Sequence, residues 1–324
     1  MKLRGAARLA VSALLAAAAV AASGQPAYPG RAVRMIVPSS AGGGTDIIAR
    51  LVAPKLAERL GQQVVVDNRP GACSIIGNDL VAKAAPDGYT LLMGISTLAI
   101  LPAMHTKLPY EALRDFAPVT QTVSAPNILV VHPSLPVKTV KELIAFARGR
   151  PGQVNFASAG TGTNPHLSME LFRSMAKLDM VHIAYKGSAP ALIDLLAGHV
   201  VVMTSTMLSG IPHVRSGRLR ALGTTGARRS NAVPDIPTVA ETGLPGYEAV
   251  QWYGLLAPAH TPREIVARMH SEMAGILQLA EIRQKFAADG ADPVGNSPED
   301  FARFLRAETG KWAKVVREAG IRPE

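Results

Sequence analysis

The chain has 324 residues, a formal net charge of +10 and one cysteine, Cys73, so an intrachain disulfide is excluded and the fold must rest on its apolar core. Its Lys and Arg residues are scattered and only seven Phe accompany them, which argues against nucleic acid, whose binding sites interleave basic runs with aromatics. The excess charge suits an acidic ligand, or is simply a solvated basic surface.

The N-terminus comes first. Lys2, Arg4 and Arg8 form a positive region, residues 9–22 are an apolar run, and Ala21, Ala22 and Ser23 offer small residues for cleavage. These features predict a secretory signal peptide over 1–23 and a periplasmic mature protein. Its removal leaves +7. The cleavage site has no cysteine to carry a lipid, and no later stretch approaches the roughly 20 apolar residues of a membrane span. The mature chain is therefore expected to be soluble and monomeric, and its length suits two domains.

After the leader, the chain repeats itself. Short, β-branched, continuously apolar runs at 33–37, 64–67, 90–93 and 116–123 alternate with helical patterns at 46–60 and 74–84, as in a parallel sheet covered on both faces. A second set follows: strands at 153–157, 181–184, 200–203 and 219–223, with helices at 165–176 and 190–197. Residues 127–133 resemble 252–258, and each run leads into a capping box, Thr139 with Glu142 and Thr261 with Glu264. Those two runs are read as passages between an α/β domain of 28–128 plus 256–324 and another of 129–255. Helices at 262–277, 280–289 and 298–319 complete the first, the last with Ser297 as N-cap and Pro298 at its first position. Two crossings define a hinge. The fold class expected is a two-domain, type II-like periplasmic binding protein, a Venus flytrap with two crossover strands and a ligand cleft between its domains.

The strongest motif occurs once in each half. Ser39-Ser-Ala-Gly-Gly-Gly-Thr-Asp46 and Ser158-Ala-Gly-Thr-Gly-Thr163 both follow a strand and precede a helix. Glycine there lets backbone N–H groups approach an anion at a helix N-terminus, although each loop alone could be just a tight turn. No Gly-Lys-Ser/Thr follows, and the dinucleotide fingerprint is absent. Asp46 is read as a cap. Without a Gly-x-Ser-x-Gly elbow or a Ser-x-x-Lys, no catalytic residue is assigned. The eight histidines include no His-Glu-x-x-His, so neither metal nor cofactor is expected. His166, on a first helical turn, is either a ligand contact or a packing residue, and Cys73 reads as a small buried or half-buried side chain.

Specific segments carry a family resemblance: Val37-Pro-Ser-Ser-Ala-Gly-Gly-Gly-Thr-Asp46, Asp67-Asn-Arg-Pro-Gly-Ala72, Ala85-Pro-Asp-Gly-Tyr-Thr-Leu-Leu92, Ala157-Ser-Ala-Gly-Thr-Gly-Thr163 with His166, Tyr185-Lys-Gly187 and Pro237-Thr-Val-Ala-Glu241. From 36 to 321 the chain resembles the Bug family, periplasmic solute receptors of tripartite tricarboxylate transporters. The resemblance implies a receptor, not an enzyme, that closes on a small organic carboxylate and delivers it to a large and a small membrane subunit. A sensor input subunit that presents its ligand to a kinase needs the same cleft. It also implies the site: Ser39, Ser40, Ala41, Gly42, Gly43 and Thr45 from the first loop; Ser96 and Thr97; Ser158, Gly160, Thr161, Gly162 and Thr163 with His166; and Tyr185, Lys186 and Gly187. Two departures stand out. Ser39-Ser-Ala41 replaces the Phe-x-Pro common in relatives, and Thr204-Ser-Thr206 replaces their Phe-Asp-Asn. With hydroxyls where an acid would attract an ammonium, the ligand is expected to be a plain or hydroxylated acid, aromatic ones included, with Ser205 at its distal end.

Overall fold

The structure, a computed structural model, describes residues 28–318 and residue 321. The expected signal peptide lies outside the described residues. Two sheets share one long strand. In the first, β1 (Val33–Val37) lies parallel to β2 (Val64–Asn68) and to β3 (Thr90–Ile95). Antiparallel to β3 runs a strand from the far end of the chain, Val250–Pro258, which in turn pairs with residues 116–126 of β4 (Phe116–Val131). In the second sheet β5 (Asn155–Ser158) lies parallel to β6 (Val181–Ala184) and β7 (Val202–Thr206). Residues 127–131 of β4 run antiparallel between β7 and β8 (Arg220–Thr224). The two halves thus have the same strand order and the same directions, as the sequence repeat requires.

The passages between halves differ from expectation in position. The strand Val250–Pro258, here β9, pairs with β3 and β4 along its whole length, so residues 250–255 belong to the first sheet, not the second. The return crossing lies at 249–250, where Ala249 N still donates to Thr225 O of the second half. Burial decides this. Trp252, Tyr253, Leu255 and Leu256 are each no more than 1% exposed and pack into the first half's core, each contributing about 1.5–3 kcal/mol that a linker position would forfeit. The outward passage is no separate run but an unbroken strand that changes sheets after Pro126.

Helices cover both faces of each sheet. In the first half α1 (Gly44–Leu60), with Arg263–Leu277 and Ala280–Ala288, packs on one face, and α2 (Ile75–Ala82), α3 (Thr97–Met104) and Pro298–Glu318 pack on the other. In the second, α4 (Val140–Arg148) and α5 (Asn164–Ala176) lie opposite α6 (Ser188–Leu196) and α7 (Met207–Arg215). No helix of the described residues is long and apolar enough to cross a membrane.

Candidate functional site

Where the halves face each other they enclose a cavity of about 390 Å³, within the range of small-molecule sites. Three helices start on its wall. Gly43, Gly187 and Thr163 are the N-caps of α1, α6 and α5. Gly43 and Gly187 have no side chain with which to cap, so the first-turn N–H groups of α1 and α6 are left to other acceptors.

The first loop is held by its own helix. Asp46 Oδ2 accepts from Gly42 N at 2.9 Å, and its carboxylate also accepts from Arg50 Nε at 2.9 Å. Burial would raise the Asp46 pKa, but hydrogen bonds from Arg50, Gly42 and Asn68 hold it below the ordinary carboxylate value. Asp46 is therefore a cap and a brace. Because Arg50 neutralises it, its charge does not cancel the attraction of the helix end for an anion.

In the second loop Gly160 and Gly162 take φ of +128° and +80°, conformations that favour glycine. Thr163 Oγ1 accepts from His166 N at 3.3 Å and donates to Gly160 O at 2.7 Å. A third loop, 185–188, is fastened by Gly187 N to Ala159 O at 3.0 Å and by Tyr185 OH to Asp194 Oδ2 at 2.7 Å. Burial, then Asp194, pushes the Tyr185 phenol up to about 12, so it stays protonated and donating.

Residues outside the expected loops complete the walls beside Ser39 and Thr97. Residues 70–75 form one side through a left-handed turn in which Gly71, Ala72, Cys73 and Ser74 all have positive φ. Ile95, Gln251, Thr206 and Tyr253 also line the cavity, with Thr97 and Asn164 beside them. The Ser39 and Thr97 hydroxyl oxygens are buried within this wall, and the Tyr253 phenol lies against Thr206. Burial pushes the Tyr253 phenol well above its ordinary value, so it remains a neutral donor.

Of the expected residues, Ser39, Gly43, Thr45, Thr97, Gly160, Thr161, Thr163, Tyr185, Lys186 and Gly187 line the cavity. The others stand behind it. Ser40 lies against Gly187 and Gly42 near Ala189, where the halves touch, and the neighbouring Ala41 is exposed. Ser96 Oγ donates to Gln251 Oε1 at 2.7 Å, so it positions a wall residue. Ser158, Gly162 and His166 hydrogen-bond within their own loop and its supports. Ser205 is fully buried and donates to Thr206 O. Side chains alternate along a strand, and Thr206 is the one that meets the cavity.

Two residues clasp both crossings. Asn164, at the start of α5, accepts from Asn127 Nδ2 at 2.5 Å and donates to Val250 O at 3.0 Å. Thr225 Oγ1 accepts from Asn127 N at 2.7 Å and donates to Ala249 O at 2.5 Å. The cavity wall and the hinge thus share a residue, Asn164.

Electrostatically the cavity is one-sided. Among the described residues no Asp or Glu lines it, while Lys186 and His105 do. Among the described residues no group of His, Cys, Asp and Glu could hold a metal ion. Uncapped helix ends beside Lys186 and a lining without acids among the described residues suit an anion. The model of the tripartite tricarboxylate transporter family receptor matches residues 48–321. The chain belongs to this family. Protein BugT of Bordetella pertussis is 41% identical over 297 residues, 91% of each chain. The structure of R. palustris Rpa4515 with adipate matches at a TM-score of 0.90 and 38% identity, covering 92% of this chain and 100% of that one. MatC from Rhodopseudomonas palustris with bound malate matches at 0.85 and 32%, covering 89% and 100%. The fold is the two-domain fold of periplasmic solute-binding proteins, and the family is one of receptors, not enzymes.

Proposed function

We propose that this chain is a periplasmic receptor that encloses one small organic carboxylate between its domains and delivers it to the membrane subunits of a tripartite transporter. The observation that carries the reading is the pairing of uncapped helix N-termini with a wall that carries Lys186 and, among the described residues, no acid. Backbone N–H groups of the loops at 39–45 and 185–188, with Thr161 and the start of α5 from the second glycine loop, take one carboxylate, and Thr206, Tyr253 and Thr97 meet the rest of the ligand. The relatives that carry adipate and malate support the ligand class.

The lining also narrows the ligand. An ammonium would find no carboxylate to pair with, so amino acids are disfavoured against plain or hydroxylated acids. The apolar side, Pro70, Ala72, Ile75 and Ile95, accepts a hydrocarbon or aromatic body. Opening and closing pivot on the crossings at 126–127 and 249–250, and the ligand favours closure by binding that form better. Mass spectrometry of small molecules released by mild denaturation tests the assignment. One carboxylic acid in stoichiometric amount is expected; a neutral sugar or an amine in its place would contradict it.

A further inference from the structure

Behind the second glycine loop, off the cavity wall, two histidines are stacked. The rings of His166 and His182 lie 4.1 Å apart at 25°, and His182 stacks in turn on Phe156 at 5.0 Å. Each imidazole holds one glycine of the loop. Gly162 N donates to His166 Nδ1 at 3.1 Å. Gly160 N donates to Ser158 Oγ at 3.1 Å, and that hydroxyl is hydrogen-bonded to His182 Nε2 at 2.6 Å. The two amides of the strained turn are therefore fastened by the pair, one directly and one through a hydroxyl.

The geometry dictates a protonation state. A nitrogen that accepts a hydrogen bond carries no proton, so His166 is neutral with its proton on Nε2. That nitrogen is 3.6 Å from Glu170 Oε1, and Glu170 is itself paired with Arg173 at 2.7 Å. These are the charged groups that face the pair: Glu170 and Arg173 from its own helix, and each imidazole for the other. Cys73 of the first domain approaches the loop at Gly162, 3.7 Å from where a β-carbon would stand. Burial, then Arg173, lowers the His166 pKa to about 4. Burial, His166 and Arg173 likewise lower His182 to about 4, against Glu170.

We propose that His166 and His182 are positioning residues for ligand binding: the neutral stacked pair sets Gly160 and Gly162 so that the loop presents Thr161 and the start of α5 to the carboxylate. This rests on the reading of the cavity as a carboxylate site. Protonation of His166 would remove the acceptor for Gly162 N and place a cation against a second imidazole, so loop order and affinity fall together in acid.

The test compares two variants with adipate as probe, by calorimetry at about pH 7 and at about pH 3.5, below the folded value of His166. Asn at 166 places its amide oxygen where Nδ1 stands and does not titrate; Phe keeps the stack and offers no acceptor. His166→Phe is expected to weaken adipate about tenfold at neutral pH, the loss of roughly one hydrogen bond, while His166→Asn stays within about threefold of the native protein. The native-to-Asn ratio of affinities, in which the probe's own protonation cancels, is expected to fall in acid. A Phe variant that binds like the native protein, or a ratio unchanged with pH, overturns the proposal. In a ¹⁵N-labelled native sample, a scalar coupling from Gly162 N to His166 Nδ1 is expected at neutral pH and is lost in acid. Its absence at neutral pH also overturns the proposal. If no organic acid binds, the carboxylate reading fails, and this coupling still decides whether the pair sets the loop.

Discussion

Gly187 of the second domain stands so close to Ser40 of the first that a β-carbon on Gly187 would overlap the Ser40 hydroxyl. This contact joins the loop at 39–43 to the start of α6 on the rim of the cavity, and Gly42 meets Ala189 beside it. Gly187 also has a φ of +122°, where any β-carbon is strained.

The Gly187→Ala variant should therefore close incompletely. Its affinity for an organic acid is expected to fall by at least about tenfold, roughly 1.4 kcal/mol. Small-angle scattering should show a larger radius at saturating acid than in the native protein. Equal compaction would mean that the rim contact does not limit closure.

Thr206 and Ser205 separate a wall position from its neighbour. Replacing Thr206 with Val should weaken an organic acid by about 0.5–1.5 kcal/mol, the net worth of one hydrogen bond. Ser205→Ala, which removes only a hydroxyl bonded to Thr206 O, should leave affinity within about twofold. Calorimetry on both variants checks the pair, and a larger loss for Ser205→Ala would reverse the assignment.

Asn164 ties α5 to both crossings, so Asn164→Ala removes the 2.5 Å acceptor of the buried Asn127 amide, leaving it Ser168 Oγ at 3.2 Å, and removes the donor to the Val250 carbonyl. A destabilisation of about 1–3 kcal/mol is expected, read from the midpoint of urea unfolding. An unaltered midpoint in the Ala variant would show that the clasp contributes nothing.

The buried imidazoles make stability depend on pH. Their folded pKa values are depressed from 6.5 to about 4, so between those values the unfolded chain binds more protons than the folded one. Stability should be level above the unfolded value, decline as pH falls from about 6.5 to about 4, and show no further loss from this source below that. Asp46, held below its ordinary 3.8, adds a loss at still lower pH. Denaturant midpoints across this range test it; a His166→Asn variant with the same slope as the native protein would contradict the assignment to His166.

Much of the fold was legible because the chain writes one strand-and-turn pattern twice, with glycine marking the turn after β1 and after β5. Other elements were hidden for physical reasons. Thr97–Met104 is apolar almost throughout and contains Pro102, and Met207–Arg215 contains Pro212, so neither shows a clean helical stripe. Strand 250–258 was assigned to a passage because periodicity carries no information about which sheet an apolar run will join.

The site was legible where backbone makes it and obscure where tertiary packing does. Gly43 and Thr161 follow from turn chemistry, and Gly187 from the family resemblance. Tyr253 sits in a run that reads as core, and nothing local reveals that it lines a cavity. The wall at 71–75 is a left-handed turn whose one local signal is Gly71, because Ala72, Cys73 and Ser74 rarely take positive φ. The exchange of Ser205 for Thr206 is a phase error of one residue, which in a strand turns a side chain to the opposite face.

Isothermal titration with a panel of mono- and dicarboxylates, amino acids and neutral sugars tests the central claim most directly. At least one plain or hydroxylated acid should bind with one-to-one stoichiometry. Thr206→Asp, which sets a buried like charge against it, should weaken that acid by about 1–3 kcal/mol. Binding confined to sugars or amines, or an acid whose affinity is indifferent to Thr206→Asp, would contradict the reading of this cavity as a carboxylate site.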